Sequence, residues 1–299
     1  MKNNRLGKSN LFVSEVSLGC MSLLRNVSSA AEVIKSAIDC GINFFDTADI
    51  YDEGENEKLL SRTISSKVRS EILISTKGGH QWDFTNGKWF WNPNPDHIKK
   101  AVTASLQRLG TDYIDLYHVH GGTIEDPIED LILTLDRLVE SGKIRYYGIS
   151  SIRPNVVRQY VEKSSIVSVM LQYSIIDRRP EEELLGLLFD TSVGVIARGS
   201  LAKGVLVAKQ VNNYLDYSAT DLCKIRAALE LVSSKERSKA QTAMKFVLSS
   251  DRVTSVLSGC RTLAQLKENI ATSYARSLSL DEIEIINKVL SKQIYRQHR

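Results

Sequence analysis

The chain has only four cysteines, Cys20, Cys40, Cys223 and Cys260, far apart and without a Cys-x-x-Cys pair. That scatter argues against a disulfide framework or a zinc knuckle and suits reduced thiols in a cytosol. Long apolar runs are missing too. None approaches the ~20 residues needed to cross a bilayer, and the start leads into a polar segment rather than a signal-peptide core, so a cytoplasmic chain with no membrane partner is expected. The 39 basic and 35 acidic residues leave a net charge of +4. They gather into no basic block, which indicates no nucleic-acid surface and still allows a local anion site. A Gly-x-Gly-x-x-Gly after the first strand is absent, against an open doubly wound dinucleotide fold. Residues 199–204 have P-loop-like glycine spacing without Gly-Lys-Ser/Thr, which argues against an NTPase.

What is present is repetition. Short apolar runs at 16–19, 42–46, 72–76, 113–120, 144–150, 166–172, 193–197 and 253–257 alternate with helical patterns, the signature of βα units around a parallel sheet. Eight such units in 299 residues, 42% of them hydrophobic and with no Pro/Ser-rich linker, predict one domain over residues 1–299. Its fold is expected to be a single α/β (β/α)8 TIM barrel with an extra C-terminal helix. Ser29 with Glu32 reads as a capping box whose helix Gly41 stops. Asp126-Pro127 with Glu129 reads as an N-cap, first-turn proline and acid, ahead of a helix buried through Leu131, Leu135 and Leu138 and closed by Gly142. Pro95, Pro154 and Pro180 mark other helix starts, and Ser279 with Glu282 opens the last helix, with Ile283, Ile286, Val289 and Leu290 on its apolar face. Two long connections, 78–95 with Trp82, Trp89 and Trp91, and 203–220, belong to the C-terminal face, where a barrel builds its pocket. Trp82 and Trp91 are expected to wall a substrate, the alternative being a tryptophan cluster that pins its own loop.

The stretch from Gly41 to Tyr51 delivers Asp46 and Tyr51 to one mouth of that barrel, while strand three exits at Lys77 and strand four at His120. Alone, Asp46 could cap a helix and Tyr51 pack on the surface. Together the four have a task. A phenol donates a proton poorly at neutral pH, an adjacent ammonium stabilises its anion, and a carboxylate keeps that ammonium charged despite burial. Tyr51, tuned by Lys77 and Asp46, would protonate a carbonyl oxygen that His120 orients. No side chain supplies hydride, so a nicotinamide is required. His118, two residues from His120, allows half a metal site, but the only histidine after them is His298, and no metal is expected.

Gly41-x-Asn-x-Phe-Asp46-Thr-Ala-x-x-Tyr51 followed by Asn56-Glu57-x-x-Leu60, the Thr76-Lys77 exit and Tyr113-Ile-Asp-Leu-Tyr-x-x-His120 resemble the aldo-keto reductase family over essentially the whole chain. The resemblance implies Tyr51 as proton donor, Lys77 and Asp46 as its tuning pair, and His120 as the residue that orients the carbonyl. It implies an NADP(H)-dependent oxidoreductase that reduces an aldehyde or ketone reversibly. Gly19, Cys20 and Met21 then lie near the nicotinamide, Asp46 borders its ribose, and Ser150, Ser151 and Gln172 hold the carboxamide. Arg198, Gly199, Ser200, Leu201 and Lys203 match the pyrophosphate loop. Gly259, Cys260, Arg261, Gln265, Glu268 and Asn269 match the site of the adenosine 2′-phosphate and adenine. A helix start and an arginine fork suit that phosphate independently and favour NADP over NAD. Arg198 stands where the family often stacks an aromatic under the nicotinamide, Ser151 replaces a common asparagine, and Ser200 and Ser258 replace frequent prolines. The alternative function is an NADP(H)-binding, redox-sensing barrel with little turnover. A monomer acting on a small-molecule carbonyl is the default.

Overall fold

Eight parallel strands close on themselves in the computed structural model, which describes residues 1–83, 85–207, 213–289 and 291–299 and, for residues 25–28, the backbone only. They are β1 (Val16–Gly19), β2 (Phe44–Asp46), β3 (Leu73–Gly78), β4 (Ile114–Val119), β5 (Ile144–Ser150), β6 (Ser168–Gln172), β7 (Gly194–Arg198) and β8 (Ser255–Gly259). Each pairs with its neighbours in chain order, and β8 closes the ring on β1 through Val256 opposite Val16 and Gly259 opposite Gly19. This is the expected (β/α)8 barrel. Helices cover its outside, so the strands are buried on both faces and read as nearly continuous apolar runs. The extra C-terminal helix is Leu280–Val289, opened by Ser279, whose amide donates to Glu282 while the Glu282 amide donates back to the Ser279 hydroxyl. Leu290, Phe84 of the first long connection and 208–212 of the second lie outside the described residues.

Several expected boundaries move for local reasons. The Ile42 amide bonds back to the Ala37 carbonyl at 2.9 Å, finishing the preceding helix, so β2 begins only at Phe44. The helix Val27–Asp39 runs straight on from the 3-10 segment Cys20–Asn26, so Ser29 lies inside it rather than capping it. Its hydroxyl donates instead to the Arg261 carbonyl at 3.0 Å. Pro127 rather than Asp126 stands at the cap of helix Ile128–Glu140. The Asp126 carboxylate accepts from the Thr123 amide and hydroxyl, both at 2.8 Å.

One mouth of the barrel is plugged. The N-terminal hairpin Asn3–Arg5 and Phe12–Ser14 brings Leu6, Leu11 and Val13 into an apolar cluster with Phe44, Leu116, Met170 and Ile196. Gly7 (φ +53°) lies so close to the starts of β6 and β7 that a Cβ there would come within 2.3 Å of the Val167 carbonyl oxygen. With that end sealed, the polar groups at the opposite strand exits are the ones open to chemistry. Leu6 is fully buried, so Leu6→Ala should lower stability by about 2–5 kcal/mol. Urea melts would read this as a lower midpoint, and an unchanged midpoint would show that the hairpin is not part of the core.

Candidate active site

At the open mouth the backbone after β2 keeps following β3. Thr47 donates its amide to the Ser75 carbonyl at 2.8 Å, and Asp49 donates to the Lys77 carbonyl at 3.0 Å. This pairing fixes Asp46 against Lys77. Lys77 Nζ donates to Asp46 Oδ2 at 2.7 Å, to the Thr47 carbonyl at 2.6 Å and to the Tyr51 hydroxyl at 3.5 Å. The lysine is 1% exposed. Burial alone would lower its pKa, but the Asp46 carboxylate and the Tyr51 oxygen together outweigh that and raise it, so Lys77 is an ammonium.

Tyr51 begins a short 3-10 turn in which Asp52 and Glu53 take left-handed backbone angles, φ 49° and 56°, before Gly54 (φ +87°) leads into helix Glu55–Thr63. On β4 the pairing with β3 extends one residue past the strand, the His120 amide donating to the Gly78 carbonyl at 2.9 Å. The His120 ring stands edge-on to Tyr51 with centroids 6.2 Å apart. Burial first, then the Lys77 charge, lowers its pKa to about 2, so this imidazole is neutral. His118 points elsewhere: its ring lies inside the barrel, Nδ1 3.1 Å from the Ser75 hydroxyl and Nε2 3.0 Å from that of Ser168. With both nitrogens engaged it has none left for a metal.

Residues of the Asn56-Glu57 motif tie the site together from behind. Asn56 donates to the Cys20 carbonyl and accepts from Thr47, while Glu57 accepts from Thr76 at 2.6 Å and from Arg108 at 2.6 Å. Of the two tryptophans expected to wall the pocket, Trp91 alone reaches this cluster. Its indole N–H donates to Asp126, and its ring covers Gly79 so closely that a Cβ there would lie 2.2 Å away. Trp82 sits opposite Trp89 in the antiparallel hairpin His80–Asp83 and Lys88–Trp91, with ring centroids 5.3 Å apart, and pins that hairpin.

The profile of the Aldo/keto reductase family matches residues 15–291. The chain belongs to that family. Over its full length it is 44% identical to the uncharacterized oxidoreductase YqkF of Bacillus subtilis, covering all of both chains. It superposes on the holo form of aldo-keto reductase AKR11C1 from Bacillus halodurans with a TM-score of 0.93, at 40% identity and covering 100% and 99% of the two chains. A third relative, the NADH-specific methylglyoxal reductase of Escherichia coli, is 28% identical over 91% of this chain and 93% of its own. The chain is thus an oxidoreductase of the aldo/keto reductase family.

Elsewhere on the reductase's open face, Gly19 ends β1 opposite Asp46, Cys20 is buried with its thiol toward the Leu18 carbonyl, and Met21 is exposed. Ser150 and Ser151 are buried at the end of β5, Ser151 donating its amide to the Met170 carbonyl. Gln172 and Arg198 end adjacent strands; Arg198 Nη1 donates to Gln172 Oε1 at 3.1 Å, and Gln172 donates to the Tyr214 hydroxyl at 3.2 Å. After them come Gly199 (φ +74°), buried Ser200, Leu201 and exposed Lys203 (φ +56°). Beyond β8, Gly259 leads through buried Cys260 and exposed Arg261 to helix Leu263–Ala271. Thr262 caps that helix, Gln265 accepts from the Arg261 amide at 2.8 Å, and Asn269 donates to the Gly259 carbonyl at 3.3 Å. Glu268 turns toward another helix, where it accepts from the Ser238 hydroxyl.

Sequence reasoning passed over Asp49. Burial, with Glu57 nearby, raises its carboxyl to about 7 against 3.8 ordinarily. The folded state therefore holds a proton that the unfolded chain releases near pH 4, and stability falls as pH rises from there through about 7. Asp49→Asn should raise the melting temperature at pH 8 by roughly 2–5 °C and change it little at pH 4. Calorimetry at both values checks this, and equal gains would remove the ionisation from the explanation.

Proposed function

We propose that the chain reduces the carbonyl of an aldehyde or ketone with NADPH, reversibly, and that Tyr51 is the general acid. One observation carries this reading: a buried lysine ammonium, fixed by Asp46, reaches the Tyr51 hydroxyl beside the neutral ring of His120. A substrate oxygen between Tyr51 and His120 receives a hydrogen bond from each. As Tyr51 gives up its proton to that oxygen, the Lys77 charge stabilises the phenolate left behind, and Asp46 keeps Lys77 charged. His120 stays neutral, so it orients the oxygen without competing as acid.

The residues present fit a nicotinamide dinucleotide. Asp46 Oδ1 is buried at the mouth with no hydrogen-bond partner among the described residues, and the paired ends of β6 and β7 offer the Gln172 amide beside Arg198. In this reading Gly19, Cys20, Met21, Asp46, Ser150, Ser151 and Gln172 hold the nicotinamide end, and Arg198 to Leu201 with Lys203 hold the pyrophosphate. Gly259 to Arg261, Gln265 and Asn269 hold the adenosine 2′-phosphate end, while Glu268 acts by bracing the helix. A bound reduced nicotinamide would supply the hydride to the carbonyl carbon. Arg261 at a helix start supports the choice of the phosphorylated coenzyme.

Two measurements test this. Tyr51→Phe should lower kcat for NADPH oxidation with aldehydes at least 100-fold, the lower end of what a general acid contributes, while NADPH still binds. Equal rates would remove Tyr51 from the mechanism, and no turnover by the unaltered chain with any carbonyl would favour a coenzyme-sensing barrel. Arg261→Ala should cut the preference for NADPH over NADH about 10- to 100-fold, the scale of a lost charge-assisted hydrogen bond, and an unaltered preference would place the phosphate elsewhere.

A further inference from the structure

A second imidazole stands beside the proposed carbonyl site. His80 follows Gly78 and Gly79 at the exit of β3, and its backbone carbonyl lies 3.1 Å from Nε2 of His97. Its ring stands edge-on to Trp91, centroids 5.6 Å apart, and edge-on to His120, centroids 5.3 Å apart. Trp91 is itself held by Asp126 and lies over Gly79, so the His80 ring is clamped in place. Nδ1 of His80 and Nδ1 of His120 are both buried, and neither has a hydrogen-bond partner among the described residues. A buried polar nitrogen left unpaired is unfavourable, and a ligand oxygen removes that penalty.

We infer that His80 is a specificity residue: it takes the second oxygen of a substrate whose reacting carbonyl has an oxygen on the neighbouring carbon, an α-hydroxy or α-oxo aldehyde or ketone. The inference rests on the proposed reductase reading, with Tyr51 and His120 holding the reacting oxygen. Oxygens on adjacent carbons are close enough for two imidazoles packed edge to face to reach one each. Burial lowers the pKa of His80 as it does that of His120. Each neutral ring has one N–H donor and one acceptor nitrogen, which suits a carbonyl or a hydroxyl equally. A monofunctional aldehyde leaves the His80 nitrogen unpaired, and a site built to pair a substrate oxygen discriminates strongly against an analogue lacking it.

The test uses the full chain with NADPH and three aldehydes of one carbon skeleton: propanal, 2-hydroxypropanal and 2-oxopropanal. For each variant, kcat/KM of the two oxygenated substrates is divided by that of propanal. His80→Phe keeps an edge-on aromatic and removes the nitrogens, and His80→Leu stands in should the phenylalanine chain not fold. Either should lower both ratios about 10- to 100-fold, with His80→Asn restoring part of the loss through its amide. Ratios within twofold of the unaltered chain, or an Asn variant no better than Phe, would overturn the inference and leave the reductase reading standing. No reduction of any of the three by the unaltered chain would overturn both.

Discussion

An ammonium that is 1% exposed cannot hold its charge alone, because removing it from water is unfavourable by several kcal/mol even after the surroundings relax. Lys77 keeps it through Asp46 at 2.7 Å and the Thr47 carbonyl at 2.6 Å, and its third donor direction is the one that meets Tyr51. The arrangement around it follows from that need. Asp46 must end β2 where Lys77 nears the end of β3, which requires the two strands to be neighbours in register. The backbone from Thr47 to Asp49 then has to continue along β3 to bring its carbonyl within reach. A parallel barrel supplies both conditions, since consecutive strands are adjacent and all exit on one face.

The barrel itself was largely legible because strands covered on both faces leave short apolar runs that nothing else in the chain imitates. The four polar residues at the exits were legible for a related reason: a charged group ending such a run has no place in a core. Caps were less so. Ser29 and Asp126 have the composition of helix starts, but a hydroxyl or carboxylate takes whichever donor or acceptor the tertiary structure brings, and here those are the Arg261 carbonyl, Thr123 and Trp91. The same holds for the tryptophans. Trp82 and Trp91 share one loop, and only the hairpin register, invisible in composition, sets Trp82 opposite Trp89 and Trp91 opposite His80. Glu268 lies one turn from Gln265, yet its carboxylate faces Ser238. Asp49 and His80 carried no signal of their own, since their surroundings come from three different strand exits.

The barrel's two ends divide the work by polarity. Leu6, Leu11 and Val13 fill the closed mouth with apolar bulk, where a polar group would be unpaired. Four of the nine buried side-chain polar atoms that lack a hydrogen-bond partner among the described residues lie at the open end: Asp46 Oδ1, Asp49 Oδ1, His80 Nδ1 and His120 Nδ1. Buried groups of this kind are normally satisfied, so Asp46 Oδ1, His80 Nδ1 and His120 Nδ1 support the proposed binding of coenzyme and substrate at this mouth. Lys77 is held by Asp46 and the Thr47 carbonyl, Asn56 and Glu57 brace Thr47 and Thr76 from behind, and the His120 ring packs against those of Tyr51 and His80.

In the proposed reaction a charge so confined also bears on which neighbour acts as acid. The field of Lys77 adds to burial in keeping His120 neutral, and a neutral imidazole is too weak an acid to protonate a carbonyl at pH 7. One ammonium thereby divides the tasks of two adjacent rings in the proposed reaction: it restricts His120 to hydrogen bonding and leaves proton donation to Tyr51, whose hydroxyl it meets at 3.5 Å. Moving the charge even one residue along β3 would reverse the side chain's facing, because successive residues of a strand point to opposite faces, and both assignments would be lost together.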